Sequence, residues 1–278
     1  MKVLLTNDDS HRSPLLASII HYLKRDHELL VVVPKHEQSW RSKCMTRFGF
    51  IHREDLEIAG YPAVSLDGSP ADCVNIAIHH FYPSGKGPDF VVSGINAGLN
   101  IGTGFIWSSG TVGACLEANI AGVPAIALSQ EFDIETRNKY AAEYSMNKEV
   151  ILRLERQTES ILDRVLPRLT SGPLFEKSIT WNINFPFHLQ NNFDLSISPM
   201  APSRYGSCFR RTEVTQMEGQ QISRFEHDLI DVYPNAAQGS DAERLRSGSV
   251  TITPLDIFSF GQVPEAEHKR LKKVLCGE

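Results

Sequence analysis

Asn7-Asp8-Asp9 follow directly on the apolar run Val3-Leu4-Leu5, so two adjacent carboxylates stand where the chain leaves a buried-looking segment. Like charges at the mouth of a core repel and lose solvation. They are tolerated at a solvated strand end, in a capping turn where Asp9 or Ser10 bonds the next amides, or around a cation. Three further polar groups follow other apolar runs: Ser39, the stretch Ser93-Gly94-Ile95-Asn96-Ala97-Gly98, and Ser108-Ser109-Gly110-Thr111 ahead of a helical pattern. Singly, these read as a loop serine, a tight turn and a helix N-cap. Together they offer Asp, Asp, Ser and Asn oxygens and no soft ligand, which suits Mg²⁺ or Mn²⁺ and relieves the Asp8–Asp9 repulsion. A helix beginning at Ser109-Gly110-Thr111 presents unpaired amides and a positive dipole end to an anion, commonly phosphate. A hard cation beside such a helix start points to phosphoester chemistry.

The elements that would gather these groups alternate along the chain. Residues 2–6, 28–34, 89–94 and 123–129 read as strands without a polar face, as in a parallel sheet buried on both sides. Residues 63–81 read as strand, turn and helix. Helical spacing covers 13–26, with Pro14 in the first turn, 109–122, ending at Gly122, and a long run from about 137 to 168. This β-α-β-α order implies right-handed crossovers and a mostly parallel sheet with helices on both faces, and ligands bind beyond the carboxyl ends of its strands. Residues 35–47 are a polar loop, 178–186 a further strand. After about 190 the rhythm is lost around the strand-like 249–255, and a charged helix closes the chain, so 190–278 reads as an appendage or oligomer contact.

The 278 residues, 41% hydrophobic and 22% charged, suit one large α/β domain with a smaller appendage. A net charge of -5 argues against a duplex nucleic-acid binder and leaves small anions open. Cys44, Cys73, Cys115, Cys208 and Cys276 are odd in number and lack C-x-x-C spacing, as expected of reduced thiols. Val3-Leu4-Leu5 is too short for a signal-peptide core and no later run approaches a membrane span, so a soluble, cytoplasmic protein without a membrane partner is expected.

The segments VLLTNDDS, VVVPKHEQS, LDGSPADCV, PDFVVSGINAGLNIG and SGTVGACLEANIAGVPAIALS resemble, in order, the motifs of the SurE family of metal-dependent nucleotidases. WNINFP and SGSVTITPL resemble its later signatures; the likeness is dense over 1–130 and patchy beyond. It implies a Rossmann-like three-layer αβα core over 1–190. It also implies an extension over 191–278, a hairpin and helix with a returning strand near 249–255, exchanged in a homodimer or homotetramer. The resemblance further implies one divalent ion per subunit, Mg²⁺ or Mn²⁺, on Asp8, Asp9, Ser39 and Asn96, with Asp8 and Asp9 catalytic. Asn7, Ser109, Gly110 and Thr111 would meet the substrate, a nucleoside 5′- or 3′-monophosphate, with short polyphosphate as a further possibility.

The chain also departs from the family pattern. Ser10 replaces a glycine, and serine is strained there if the position needs positive φ. Trp40 and Arg41 replace a run of small residues, Lys43 stands where Asn is common, and one extra residue lies between Asn100 and Ser109. Trp40, Arg41 and Lys43 would narrow the pocket or meet the substrate by stacking and charge.

An ion on these oxygens would act as Lewis acid and template. Attack by water, oriented by Asp9, and attack by an Asp carboxylate both remain open. His11 and His36 read as solvated loop residues, since no H-E-x-x-H spacing occurs. A haloacid-dehalogenase-type phosphatase would need D-x-D rather than adjacent aspartates. A dinucleotide dehydrogenase would need G-x-G-x-x-G after the first strand. The remaining rival is a weakly active or inactive nucleotide-binding homologue on the same fold.

Overall fold

A computed structural model describes residues 1–278 except 84, 173, 174, 176–178, 204, 205, 218, 219, 229–235 and 276–278. Its strands are β1 Lys2–Thr6, β2 Glu28–Pro34, β3 Arg53–Ile58, β4 Tyr61–Leu66, β5 Phe90–Ala97, β6 Ala125–Gln130, β7 Ile179–Phe185, β8 Leu195–Ile197, β9 Phe209–Met217, β10 Gln220–His227 and β11 Val250–Asp256. The helices are α1 Leu16–Leu23, α2 Pro70–Ile76, α3 Gly102–Ser108, α4 Gly110–Ile120, α5 Ile134–Glu143, α6 Lys148–Thr170, α7 Asp241–Arg246 and α8 Glu265–Leu275.

Nine strands form one sheet in the order β3-β4-β2-β1-β5-β6-β7-β11-β8. From β4 through β7 neighbours run parallel; β3 is antiparallel to β4 and β11 to β7. The β1 side chains alternate between two cores. Val3 and Leu5 pack with Ile19 and Ile20 of α1 and Leu154 and Ile161 of α6, whereas Leu4 packs with Cys73 and Val74 of α2 and Val112 and Cys115 of α4. Period-two alternation thus gives both faces an apolar layer, the reason the strand shows no polar face. The mostly parallel sheet clad on both sides is the architecture expected from the chain.

The expected helix 13–26 shortens to α1, because Ser10–Ser13 form a turn and Leu16 N–H bonds Ser13 O at 3.2 Å. The long run 137–168 is two helices. Tyr144 takes a left-handed φ of 53°, its N–H closing α5 on Tyr140 O, and α6 begins at Lys148. Helix α3 was not foreseen. The β9–β10 hairpin forms its own two-stranded sheet, with Phe209, Val214, Ile222 and Phe225 exposed, while β11 joins the main sheet. Cys44, Cys73, Cys115 and Cys208 are free thiols; Cys276 lies outside the described residues. Among the described residues, no helix is long and apolar enough to cross a membrane.

Candidate active site

The carboxyl ends of β1 and β5 stand side by side because Thr6 pairs with Ser93, so the chain segments that follow them share one edge. Asp8 and Asp9 leave β1 there and both are buried. Thr111 Oγ1, in the first turn of α4, donates to Asp8 Oδ1 at 2.7 Å, and Ala97 N–H donates to Asp9 Oδ2 at 2.8 Å. A register shift between β5 and β6 falls between Ser93 and Asn96, just before the site residue Asn96. Asn96 Nδ2 donates to Gly98 O at 3.1 Å, leaving Oδ1 as its acceptor for a ligand.

Asp8, Ser39, Asn96 and Ser109 line one cleft of ≈ 160 Å³ together with Trp40, Asn100, Phe105 and Ser108. Asp9 is not among the lining residues; its carboxylate is turned toward the β5 backbone. Asn7 lies deeper, its amide donating to Ser10 O at 2.9 Å, so it holds the turn. Thr111 is equally buried, with its hydroxyl committed to Asp8. Ser109 caps α4, its Oγ accepting from Val112 N–H at 3.1 Å. Two glycines allow this packing. A Cβ on Gly110 would lie 2.8 Å from Gln38 O and 2.9 Å from Asp8 Cβ, and one on Gly113 would lie 2.1 Å from Ser42 O.

The loop carrying Ser39 is fastened at several points. Gln38 N–H bonds Asp8 O at 2.8 Å, Ser42 N–H bonds Ser108 O at 2.9 Å, and Thr46 Oγ1 donates to Asp72 at 2.7 Å. Lys43 reaches Glu117 Oε2 at 2.6 Å, a carboxylate whose side chain is 6% exposed and which also accepts from Asn75 at 2.7 Å. Lys43 therefore braces the loop against α4 and is not among the residues lining the cleft. Of the histidines, His36 is exposed, and burial lowers the pKa of His11.

Burial lifts Asp8 from its ordinary 3.8 to about 6, against the lowering effect of the Thr111 bond. Burial, and then the charge of Asp8, raise Asp9 well above its ordinary value. Among the described residues no Lys, Arg or His forms an ion pair with either carboxylate. Two buried, uncompensated carboxylates beside neutral Ser39 and Asn96 oxygens fit a hard divalent cation. Among the described residues no cluster of three or more His, Cys, Asp or Glu side chains converges.

Other residues of the site were not singled out from sequence. Tyr140 of α5 is buried near Asp9; burial, and then the charge of Asp9, push its phenol up. Asn182 Nδ2 and Asn184 Nδ2 donate to Asn100 O at 2.8 and 3.1 Å, and Asp241 accepts from Gly102 N–H at 2.8 Å, fixing the segment after β5. The signal for the asparagines was their alternation within an otherwise apolar strand, since buried amides need partners.

Ser10 has φ 68°, so the position that departs from the family's glycine is indeed left-handed. Serine is strained there by about 1 kcal/mol. Ser10→Gly is expected to raise the melting temperature slightly, by up to about 2 °C, after allowing for glycine's greater entropy loss. Thermal unfolding followed by circular dichroism checks this; a lower melting temperature would mean that the weak Oγ contact with Arg12 N–H, at 3.3 Å, outweighs the strain.

The family model for survival protein SurE matches residues 3–207 of the chain. The 5′-nucleotidase SurE of Methanopyrus kandleri is 31% identical over 280 residues, covering 100% of both chains. That of Clostridium botulinum (strain ATCC 19397 / Type A) is 29% identical, covering 96% of this chain and 98% of the relative. The crystal structure of the SurE protein from Aquifex aeolicus matches in fold with a TM-score of 0.69 at 22% identity, covering 99% of each chain.

Proposed function

The chain belongs to the SurE family, and from that premise we propose that it is a metal-dependent 5′-nucleotidase that hydrolyses nucleoside 5′- and 3′-monophosphates to nucleoside and phosphate. The observation that carries this reading is the pair of buried carboxylates, Asp8 against the first turn of α4 and Asp9 against β5, with no Lys, Arg or His paired to them among the described residues. Asp8, Asp9, Ser39 and Asn96 would hold one Mg²⁺ or Mn²⁺ per subunit. When bound, the ion supplies Lewis acidity to a phosphate oxygen.

The remaining work belongs to the chain's own residues. Thr111 holds the Asp8 carboxylate through Oδ1 and the Ala97 amide holds that of Asp9 through Oδ2, leaving one oxygen of each for a ligand. The Gly110 and Thr111 amides at the start of α4 favour the anion and the charge that grows on it as the ester breaks. Asp9 is the group to orient an attacking water, and direct attack by a carboxylate is the alternative route. Short polyphosphate belongs to the same chemistry. Residues 1–190 would be the catalytic core, and 191–278, with its exposed hairpin, the contact of a cytoplasmic homodimer or homotetramer.

Phosphate release from a panel of 5′- and 3′-nucleoside monophosphates, with Mg²⁺, Mn²⁺ or EDTA, tests the proposal. Release that requires metal is the expected result. A panel that binds but is never hydrolysed with any metal would sink the enzyme reading in favour of a nucleotide-binding homologue.

A further inference from the structure

The cleft wall is divided in character. Asp8, Ser39, Asn96 and Ser109 are its polar part, and the rings of Trp40 and Phe105 its apolar part. The Trp40 and Phe105 centroids are 5.8 Å apart at 70°, and His227, the last residue of β10, stands 5.1 Å from Trp40, also at 70°. Trp40 is packed on these two rings yet 36% exposed.

The backbone of Trp40 is unusual as well. Its φ is 62°, and Ser42 follows at 52°, so a bulky residue occupies the left-handed region beside Ser39. Glycine would take that conformation freely, and strain of this kind clusters at active sites, ligand clamps and switch regions. The volume of ≈ 160 Å³ is below the ~300–1,000 Å³ of sites that enclose a whole organic ligand. A nucleotide whose phosphate reaches Asp8 and Ser109 would therefore leave its base at the rim, where the indole is.

We propose that Trp40 is the base platform of this site: the nucleobase stacks on its indole, which Phe105 and His227 hold in place by edge-type ring contacts, a placement that rests on the nucleotidase reading above. Stacking accepts any base, because every base has a π-face, and removing such a platform weakens binding about 10- to 100-fold.

The test compares kcat/KM for AMP and for ribose 5-phosphate, which lacks the base, in wild type, Trp40→Gly and Trp40→Phe, with AMP affinity measured by calorimetry alongside. The AMP to ribose 5-phosphate ratio is expected to fall tenfold or more in Trp40→Gly, through KM, and to recover largely in Trp40→Phe. Trp40→Gly is expected to melt no lower than wild type, which separates lost stacking from a damaged fold. An unchanged ratio, with both substrates hydrolysed, overturns the platform and leaves the nucleotidase reading standing. Wild type that binds AMP without hydrolysing it, with binding lost in Trp40→Gly, overturns the enzyme and keeps the platform. Wild type that neither binds nor hydrolyses AMP overturns both.

Discussion

Asp8→Asn should cut phosphate release severely while making the metal-free protein more stable at neutral pH. The folded protein holds the Asp8 carboxyl, lifted from its ordinary 3.8 to about 6, more tightly protonated than the unfolded chain does. Stability is therefore fully present below the unfolded value and falls as pH rises from about 4 to about 6. A shift of this size corresponds to about 3 kcal/mol lost at pH 7. Asn is isosteric with the protonated acid and keeps an oxygen for Thr111, so it escapes the loss. Metal-free Asp8→Asn is expected to melt roughly 5–10 °C above metal-free wild type at pH 7, the difference vanishing below about pH 4. Added Mg²⁺ or Mn²⁺ should raise wild type, by about 3 kcal/mol at a hundredfold excess over its Kd, and leave the variant nearly unmoved. Activity should fall on the order of a thousandfold. Melting curves across pH with and without metal check this, and wild type that is indifferent to metal and equal to Asp8→Asn throughout would remove the metal reading.

Gly113→Ala should be strongly damaging for a single added methyl. Its Cβ would lie 2.1 Å from Ser42 O, 2.4 Å from Ser42 C and 2.8 Å from Lys43 N. These are backbone atoms, which no rotamer change can clear. Either α4 or the loop 35–47 must move, and the loop is held by Ser42 on Ser108 and Trp107 and by Lys43 on the buried Glu117. Overpacking of this kind costs about 1–3 kcal/mol, and a broken Lys43–Glu117 pair adds to it. A melting temperature lower by roughly 6 °C or more is expected. Because Ser39 rides on this loop, an ångström-scale shift should also lower kcat/KM about a hundredfold. Gly87→Ala, which meets nothing within 4 Å, is the control and should behave as wild type. Near-normal melting and activity in Gly113→Ala would show that the loop does not cross α4 this closely.

The sequence by itself determined the layers. Val3-Leu4-Leu5, the apolar strands that repeat them and the helical spacing of Leu16, Ile19, Ile20 and Leu23 follow from side-chain periodicity, a property of a few neighbouring residues. The chemistry of Asp8, Asp9, Ser39 and Asn96 was legible too, since residue type and position after apolar runs are local facts. Tertiary structure alone decided what those residues meet. Nothing near Thr111 announces that its hydroxyl is held by Asp8, nor does anything near Lys43 announce a partner on α4. The same holds for Trp40, which meets His227 because the end of β10 lies against the loop after β2. The break at Tyr144 was likewise hidden, because a left-handed residue within a helical pattern reflects packing around it rather than its own preference. Such pairings depend on register, loop path and the close approach permitted by Gly110 and Gly113. Each is the sum of small, distant terms that periodicity does not encode.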